Sequence, residues 1–309
     1  MPVRPLRSVA SARLALLALF AAPLAAASPE TVTFVFAPPV GKSFELREIG
    51  TISFKWGAHV DTLAIGQRAH WSFAPDGAGL ALVDATQELA MAKEGKPFQH
   101  PLLDAGAKSR TTYHLRPDGA LLRIDGLRGD AERMVAALEG EAKESAKKRL
   151  AEGRLGETER WLWYERVEVL AGQTLELGRD YWFRSAMPSD DGWVPHQVLF
   201  RLGPWEETPQ GRRLKVQLAY VADARATIPA AVELRPRIAT RFDPAAPGKL
   251  LAGYEVKGNA SRLVDPATGL VWREQTFRRQ SHVERPVEEI GITISVESRT
   301  DSTLTPLAP

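Results

Sequence analysis

The sequence predicts an α+β fold in which a large curved, mainly antiparallel β-sheet of half-barrel character packs on one or two helices from a central insert. Three observations carry this reading. Apolar and polar residues alternate over most of the chain, the period of half-buried antiparallel strands. Pro-Asp-Gly and Asp-Pro-x-x-Gly phrases punctuate the alternating segments where hairpins would turn. One charged stretch near the middle has helical spacing instead.

From Thr31, the residues Val32, Phe34 and Phe36 share one face of a first strand, and Phe44 and Leu46 lead through Ile49 into Ile52, Phe54 and Trp56. Pro75-Asp76-Gly77 and Pro117-Asp118-Gly119 place Pro where φ of about −65° is wanted and Gly where φ is positive. Asp265-Pro266-Ala267-Thr268-Gly269 is a longer variant. Trp71-Ser72-Phe73 before the first of these turns and Leu80 to Val83 after it make a hairpin. The phrases Pro-Asp-Gly-Ala (75–78 and 117–120) and Glu-Ile-Gly (48–50 and 289–291) recur, at a length too short to establish a duplication.

Between Asp130 and Gly153 the spacing predicts one amphipathic helix. Asp130 caps its first turn, Met134, Val135, Leu138, Ala142, Ala146 and Leu150 form its apolar stripe, and Gly153 ends it. Glu139 with Lys143, and Glu144 with Lys148, are supporting i to i+4 pairs. Glu157 to Leu170 fits a helical face (Trp161, Leu162, Val167, Leu170) and a strand face (Trp161, Trp163, Val167, Val169), with helix favoured for its first half. After Gly172 strands resume at Tyr181–Arg184, Val198–Leu202, Leu214–Val221, Val232–Phe242, Leu250–Lys257, Leu270–Phe277 and Ile292–Val296. Pro195, Pro204, Pro209, Pro236 and Pro247 mark turns, bulges or strand edges among them.

The N-terminus reads as an export signal over residues 1–27. Arg4, Arg7 and Arg13 precede an apolar run from Leu14 to Leu24, and Ala25-Ala26-Ala27 supplies the small residues a signal peptidase needs, so the cut falls after Ala27. A single β-rich domain over 28–309 follows, with the helical insert at about 130–165. The apolar run is too short to cross a bilayer core of about 30 Å, and no later run approaches 18 residues, so no transmembrane span is expected after processing. There is no cysteine, which excludes a lipid-anchored N-terminus, disulfides and thiol chemistry. The expected location is periplasmic or secreted.

Composition is that of a globular protein, 44% hydrophobic and 25% charged, with ample apolar side chain for a core. Lys and Arg total 40 against 38 Asp and Glu; without the three signal arginines the balance is 37 against 38. No basic surplus remains to displace counterions from phosphates, so nucleic acid is not an expected partner.

The motifs name no reaction. His59, His70, His100, His114, His196 and His282 show no metal-ligand spacing. No Gly-x-Ser-x-Gly elbow or Gly-x-Gly-x-x-Gly turn occurs, and Gly41-Lys42-Ser43 lacks the upstream glycine of a phosphate-cradling Gly-x4-Gly-Lys-Ser/Thr loop, Phe36 standing in its place. Asp190-Asp191-Gly192 and Glu206-Glu207 have the composition of calcium ligands or a glycosidase pair, but acidic loop tips beside Gly and Pro are usually solvated turns, which is the reading favoured. No catalytic residue, metal or cofactor is assigned.

Aromatic residues are the remaining functional signal. Of eight tryptophans, several fall in alternating strands or on the insert. Trp56, Trp71, Phe73, Trp161, Trp163 and Trp272 would line an apolar cavity between a concave sheet and the insert, the kind of cleft that holds lipid. For any single tryptophan, core packing with the indole N–H satisfied by backbone is the favoured alternative.

Gly41 to Leu46, the phrase from Pro117 to Gly126 that runs into the helix, and Leu263 to Leu270 before a late strand together resemble an uncharacterised family of exported bacterial proteins, a domain of unknown function. That resemblance implies an envelope location and carries over no catalytic residue. By architecture alone, a curved sheet embracing helices is similar to the periplasmic lipoprotein carriers. Three readings stand: a non-catalytic soluble periplasmic or secreted protein that binds a lipid or other hydrophobic ligand in its concave face; a structural or interaction module with a filled core whose partner is an envelope protein; and a hydrolase whose triad assembles only in space.

Overall fold

The alternating segments form strands in the computed structural model, which describes residues 29–151, 156–189, 192–245, 247–284 and 292–308. The export signal with its cut after Ala27, Gly153, Asp190-Asp191 and the second Glu-Ile-Gly phrase lie outside the described residues. The strands are β1 (Thr31–Thr33), β2 (Ser43–Trp56), β3 (His59–Asp76), β4 (Gly79–Lys93), β5 (Lys96–Pro97), β6 (Arg110–Leu115), β7 (Leu121–Asp125) and β8 (Thr174–Glu176), then β9 (Asp180–Ser189), β10 (Gly192–Thr208), β11 (Gly211–Val221), β12 (Val232–Glu233), β13 (Tyr254–Asp265), β14 (Leu270–Glu284) and β15 (Ile292–Pro306). The helices are α1 (Pro101–Gly106), α2 (Leu127–Ala136), α3 (Gly140–Ala151), α4 (Glu157–Trp163) and α5 (Ala224–Thr227), and α4 continues into a π-helical turn, Tyr164–Glu168. Among the described residues no helix is long and apolar enough to cross a membrane.

One sheet contains all the long strands, in the order β12-β9-β10-β11-β13-β14-β15-β2-β3-β4-β6-β7, with β5 on β4. Every pair in it is antiparallel except β12 on β9. It is curved and open, with β12 and β7 as its edges. The last strand, β15, lies against β2 from Ile294 to Pro306, so the C-terminal segment staples the two halves of the sheet. The Pro75-Asp76-Gly77 turn forms as expected: Asp76 pairs with Gly79 and Gly77 takes a left-handed φ of 57°.

Cross-strand register places a single apolar face on the concave side. Phe44, Leu46 and Glu48 of β2 lie opposite Trp71, Ala69 and Gln67 of β3, and opposite Pro306, Leu304 and Ser302 of β15. The intervening residues, Glu45, Arg47, Ile49, Thr51, Ser53 and Lys55, turn to the other side, because successive strand residues alternate faces, and Ile49 is 70% exposed there.

The structure corrects several local expectations. The helix expected from Asp130 to Gly153 is two, α2 and α3, separated at Ala137–Glu139, and Gly140 begins the second with a left-handed φ of 58°. Asp130 does not cap; it is buried inside α2 and accepts a hydrogen bond from Arg133. Gly126 occupies the N-cap instead, at φ 94°, where a β-carbon would stand 2.2 Å from the Arg110 carbonyl oxygen. Val232–Phe242 is a strand only at Val232–Glu233, since Pro236 has no N–H to extend a ladder. Leu250–Lys257 begins as a strand only at Tyr254, whereas β14 and β15 run several residues past the segments expected for them.

Candidate functional site

α4 and the π-helical turn form a plug against the concave face. The fifth-neighbour bond from the Val169 N–H to the Tyr164 carbonyl, 3.1 Å, closes the wide turn. The plug separates two core clusters: Trp161, Tyr164, Val169 and Leu170 pack with β9, β10, β11 and β13, while Trp163 and Val167 pack with Phe36, Phe44, Phe73 and Leu82. Polar anchors fix it on both sides. The Trp163 indole donates to the Gly119 carbonyl at 2.9 Å, and Glu168 accepts from the Leu121 N–H at 2.7 Å and from the Thr240 hydroxyl.

A buried ion network holds the plug to the sheet. Glu165 is fully buried and accepts from Arg278 at 2.6 Å, the Ser185 hydroxyl at 2.6 Å and the Trp161 indole at 2.9 Å, with His196 Nε2 at 3.2 Å. Arg278 also donates to Tyr220, and its guanidinium lies 4.5 Å from the Trp161 ring centre. Burial pushes the Glu165 carboxyl up, but Arg278, the His196 hydrogen bond and charge, and Ser185 outweigh it and hold the group at about 2. Arg262 donates to the Glu165 backbone carbonyl at 2.8 Å and to Glu274 at 3.0 Å. Arg166 reaches Glu274 from the plug at 2.8 Å.

Ser185, His196 and Glu165 converge, as the hydrolase reading requires, but with the wrong connections. In a triad the imidazole stands between serine and carboxylate. Here serine and imidazole both bind the carboxylate, the other imidazole nitrogen faces the Val194 carbonyl at 3.2 Å, and Ser185 is 1% exposed. Among the described residues no group of three or more His, Asp or Glu side chains is placed to hold a metal ion.

Beside the plug lies a partly enclosed cavity of about 100 Å³. Trp71, Phe73, Tyr113 and Trp163 form its aromatic wall, and Glu48, Glu159, Arg166 and Glu274 its polar one. Burial raises the carboxyls of Glu48 and Glu159, and raises Asp84, beneath Trp71, to about 6. The Trp71 indole nitrogen and Asp84 Oδ1 are buried without a well-aligned hydrogen-bond partner.

Past this cavity the concave face continues without a plug. Gly50 lies opposite Ile65, Ile52 opposite Leu63, Phe54 opposite Val296, Trp56 opposite Ile294, and Met91 opposite Ile65. These residues share the face of Phe44 and Leu46 and make an apolar strip across β15, β2, β3 and β4, bordered on the same face by Asp61 opposite Phe54, His59 opposite Trp56, Ser298 opposite Ile52 and Lys93 opposite Leu63, with Asp61 and Lys93 paired at 3.0 Å. Phe54 and Trp56 are 43% and 45% exposed, and Ile52, Leu63, Ile65, Met91, Ile294 and Val296 are half-buried. α1 packs on β4 and α2 on β6, flanking the strip on one side.

The six aromatic residues expected to line one cavity are thus distributed. Trp71, Phe73 and Trp163 line the cavity beside the plug. Trp272 packs against the same cluster, edge-on to Phe44 with 5.9 Å between ring centres. Trp161 belongs to the other core cluster, and Trp56 stands on the open strip beside His59. Sequence reasoning missed the ion network and the aliphatic part of the strip. The first had a visible signal, charged residues in the apolar phase of strands, as in Ala260-x-Arg262-x-Val264.

No family model matches the chain, and no curated protein does. Among solved structures it is similar to a protein of YmcC-like fold, described as exported, from Bacteroides fragilis, at 10% identity over 86% of this chain and 97% of that one with a TM-score of 0.23. It is also similar to DynF of the dynemicin biosynthesis pathway of Micromonospora chersina, at 11% identity over 92% and 88% with a TM-score of 0.20. A DUF1329 family protein from Desulfovibrio piger matches at 11% identity over 86% and 85%, TM-score 0.18. At such scores the likeness carries no argument about activity, ligand or partner.

Proposed function

We propose that this is a non-catalytic periplasmic or secreted protein that holds a lipid acyl chain, or another hydrophobic ligand, on the open half of its concave face. The observation that carries the reading is that apolar residues recur on the inward phase of β2 past the plug, at Ile52, Phe54 and Trp56, each with one apolar cross-strand partner, Leu63 on β3 and Val296 and Ile294 on β15. An antiparallel sheet ordinarily keeps one face apolar because something packs on it. Contiguous exposed apolar surface flanked by polar residues marks a binding face.

Native mass spectrometry of protein purified without detergent from the cells that make it tests this reading. A co-purified lipid mass that disappears in the Leu63→Asp variant is the expected result; ligand-free protein in both forms would overturn it.

The ion network that locks the plug favours a second reading, a structural or interaction module of the cell envelope whose strip meets a protein partner. Crosslinking from position 54 in cells distinguishes the two. A single protein adduct together with ligand-free protein supports the module.

A further inference from the structure

The buried network and the cavity beside it hold more carboxylates than cations. Glu165 and Glu274 take up every guanidinium there: Arg166 and Arg262 lie 2.8 and 2.9 Å from Glu274, and Arg278 lies 2.6 Å from Glu165. Three further carboxylates converge from separate elements, Glu48 of β2 and Glu159 of α4 on the cavity wall and Asp84 of β4 beneath Trp71. None of these three has an ion-pair partner among the described residues; Arg166 acts on Glu48, and Arg160 on Glu159, only through space. Three guanidinium groups therefore face five carboxylates, two charges short of balance. An unpaired charge is costly in such half-buried surroundings, and for want of a counter-charge burial pushes all three free carboxyls up.

The rest of the wall suits an organic cation. Trp71, Phe73, Tyr113 and Trp163 line it, and Tyr113 stacks on Trp163 with ring centres 5.9 Å apart and planes 25° apart, which joins the two rings into one surface. The Tyr113 hydroxyl makes no hydrogen bond among the described residues, and burial, then the Asp84 and Glu159 charges, push it up, so it stays neutral. A bare metal ion does not fit, because among the described residues no three His, Asp or Glu side chains are placed to hold one.

We propose that the cavity beside the plug binds a quaternary ammonium group, its methyls against Trp71, Tyr113 and Trp163 and its charge answering Glu48 and Glu159. Aromatic rings attract such a cation through their quadrupole, and its charge is spread over methyl groups that pack against an apolar wall. The cavity, about 100 Å³, admits a compact head group, whereas whole drug-sized ligands occupy roughly 300 Å³ or more. Nothing in this assignment requires an acyl chain on the open strip, so the two sites stand or fall separately.

Isothermal titration calorimetry with choline and with neohexyl alcohol, in which carbon replaces the nitrogen, isolates the charge at constant shape. Choline should bind at least about tenfold more tightly. Glu48→Gln and Glu159→Gln should each bring that ratio toward one and leave the thermal midpoint unchanged or higher, because each removes an unpaired carboxylate. Ethanolamine, the primary ammonium counterpart, should bind more weakly than choline. Dihexanoylphosphatidylcholine below its micelle concentration separates two sources of the same group: binding tighter than choline assigns a lipid head group, and weaker binding a free small molecule. Equal affinity for choline and neohexyl alcohol, no binding of choline, tighter binding of ethanolamine, or a choline preference that survives in both folded variants would overturn the proposal. If either variant does not fold, the ratio in the unaltered protein decides.

Discussion

β2 crosses two environments. From Phe44 to Glu48 its inward side chains lie under the plug or beside the cavity, and Phe44 is 2% exposed. From Ile52 to Trp56 the same alternation continues, yet Phe54 and Trp56 are 43% and 45% exposed. In the plugged half Trp161, Trp163 and Tyr164 are hydrogen-bonded at their polar ends, and a charge network ties helix to sheet. The open half has aliphatic and aromatic side chains in register and, on the same face, the solvent-facing Asp61–Lys93 ion pair in place of a buried network. The difference separates two roles of one pattern: alternation sets which face of a sheet is apolar, and a separate set of contacts determines whether the protein itself covers that face.

The largest expected effect is in the plugged half. Arg278→Leu would leave the Glu165 carboxylate buried without its principal counter-charge, a loss of roughly 3–5 kcal/mol. Urea denaturation of the variant measures it, and a loss below about 1 kcal/mol would show that the plug is not held this way. A paired truncation contrasts the halves directly. Phe73→Ala removes a ring from the packed cluster and should cost roughly 3–5 kcal/mol, whereas Phe54→Ala should change stability by less than about 1 kcal/mol. Equal costs would erase the distinction.

Asp84 gives the plugged half a pH dependence of known sign. Its folded pKa, about 6, lies above the ordinary 3.8 because burial outweighs the favourable influence of the neighbouring Trp71 indole. The neutral form is therefore favoured by folding, so this contribution is complete below about 4 and is lost as pH rises through about 6. Asp84→Asn should flatten thermal stability between pH 4 and about 7 and leave the variant more stable than the parent at the upper end, by at most about 3 kcal/mol. An unchanged pH profile would remove Asp84 from the account.

Much of the sheet was legible because alternation and turn chemistry agree, as at Phe44 to Trp56 and at Pro75-Asp76-Gly77. The division of the helical insert was not, since the stripe from Met134 to Leu150 keeps its spacing across Gly140 and only the backbone there shows the break. Arg262 and Glu274 were visible as charges in an apolar phase, but their connection to Glu165 spans about a hundred residues of chain and depends on the plug's placement. Tryptophan positions told least. Trp71 and Trp56 both occur in alternating strands, and one lines a cavity beside the plug while the other is nearly half exposed.

Leu63→Asp tests the central claim most directly, because it places a charge in the middle of the strip and leaves the plug intact. Binding of cis-parinaric acid and the thermal midpoint should be measured on the same preparations. The account predicts that binding falls by at least about tenfold, which is 1.4 kcal/mol or more, while stability changes by less than about 1 kcal/mol. Undiminished binding, or a collapse of stability like that expected for Phe73→Ala, would contradict it.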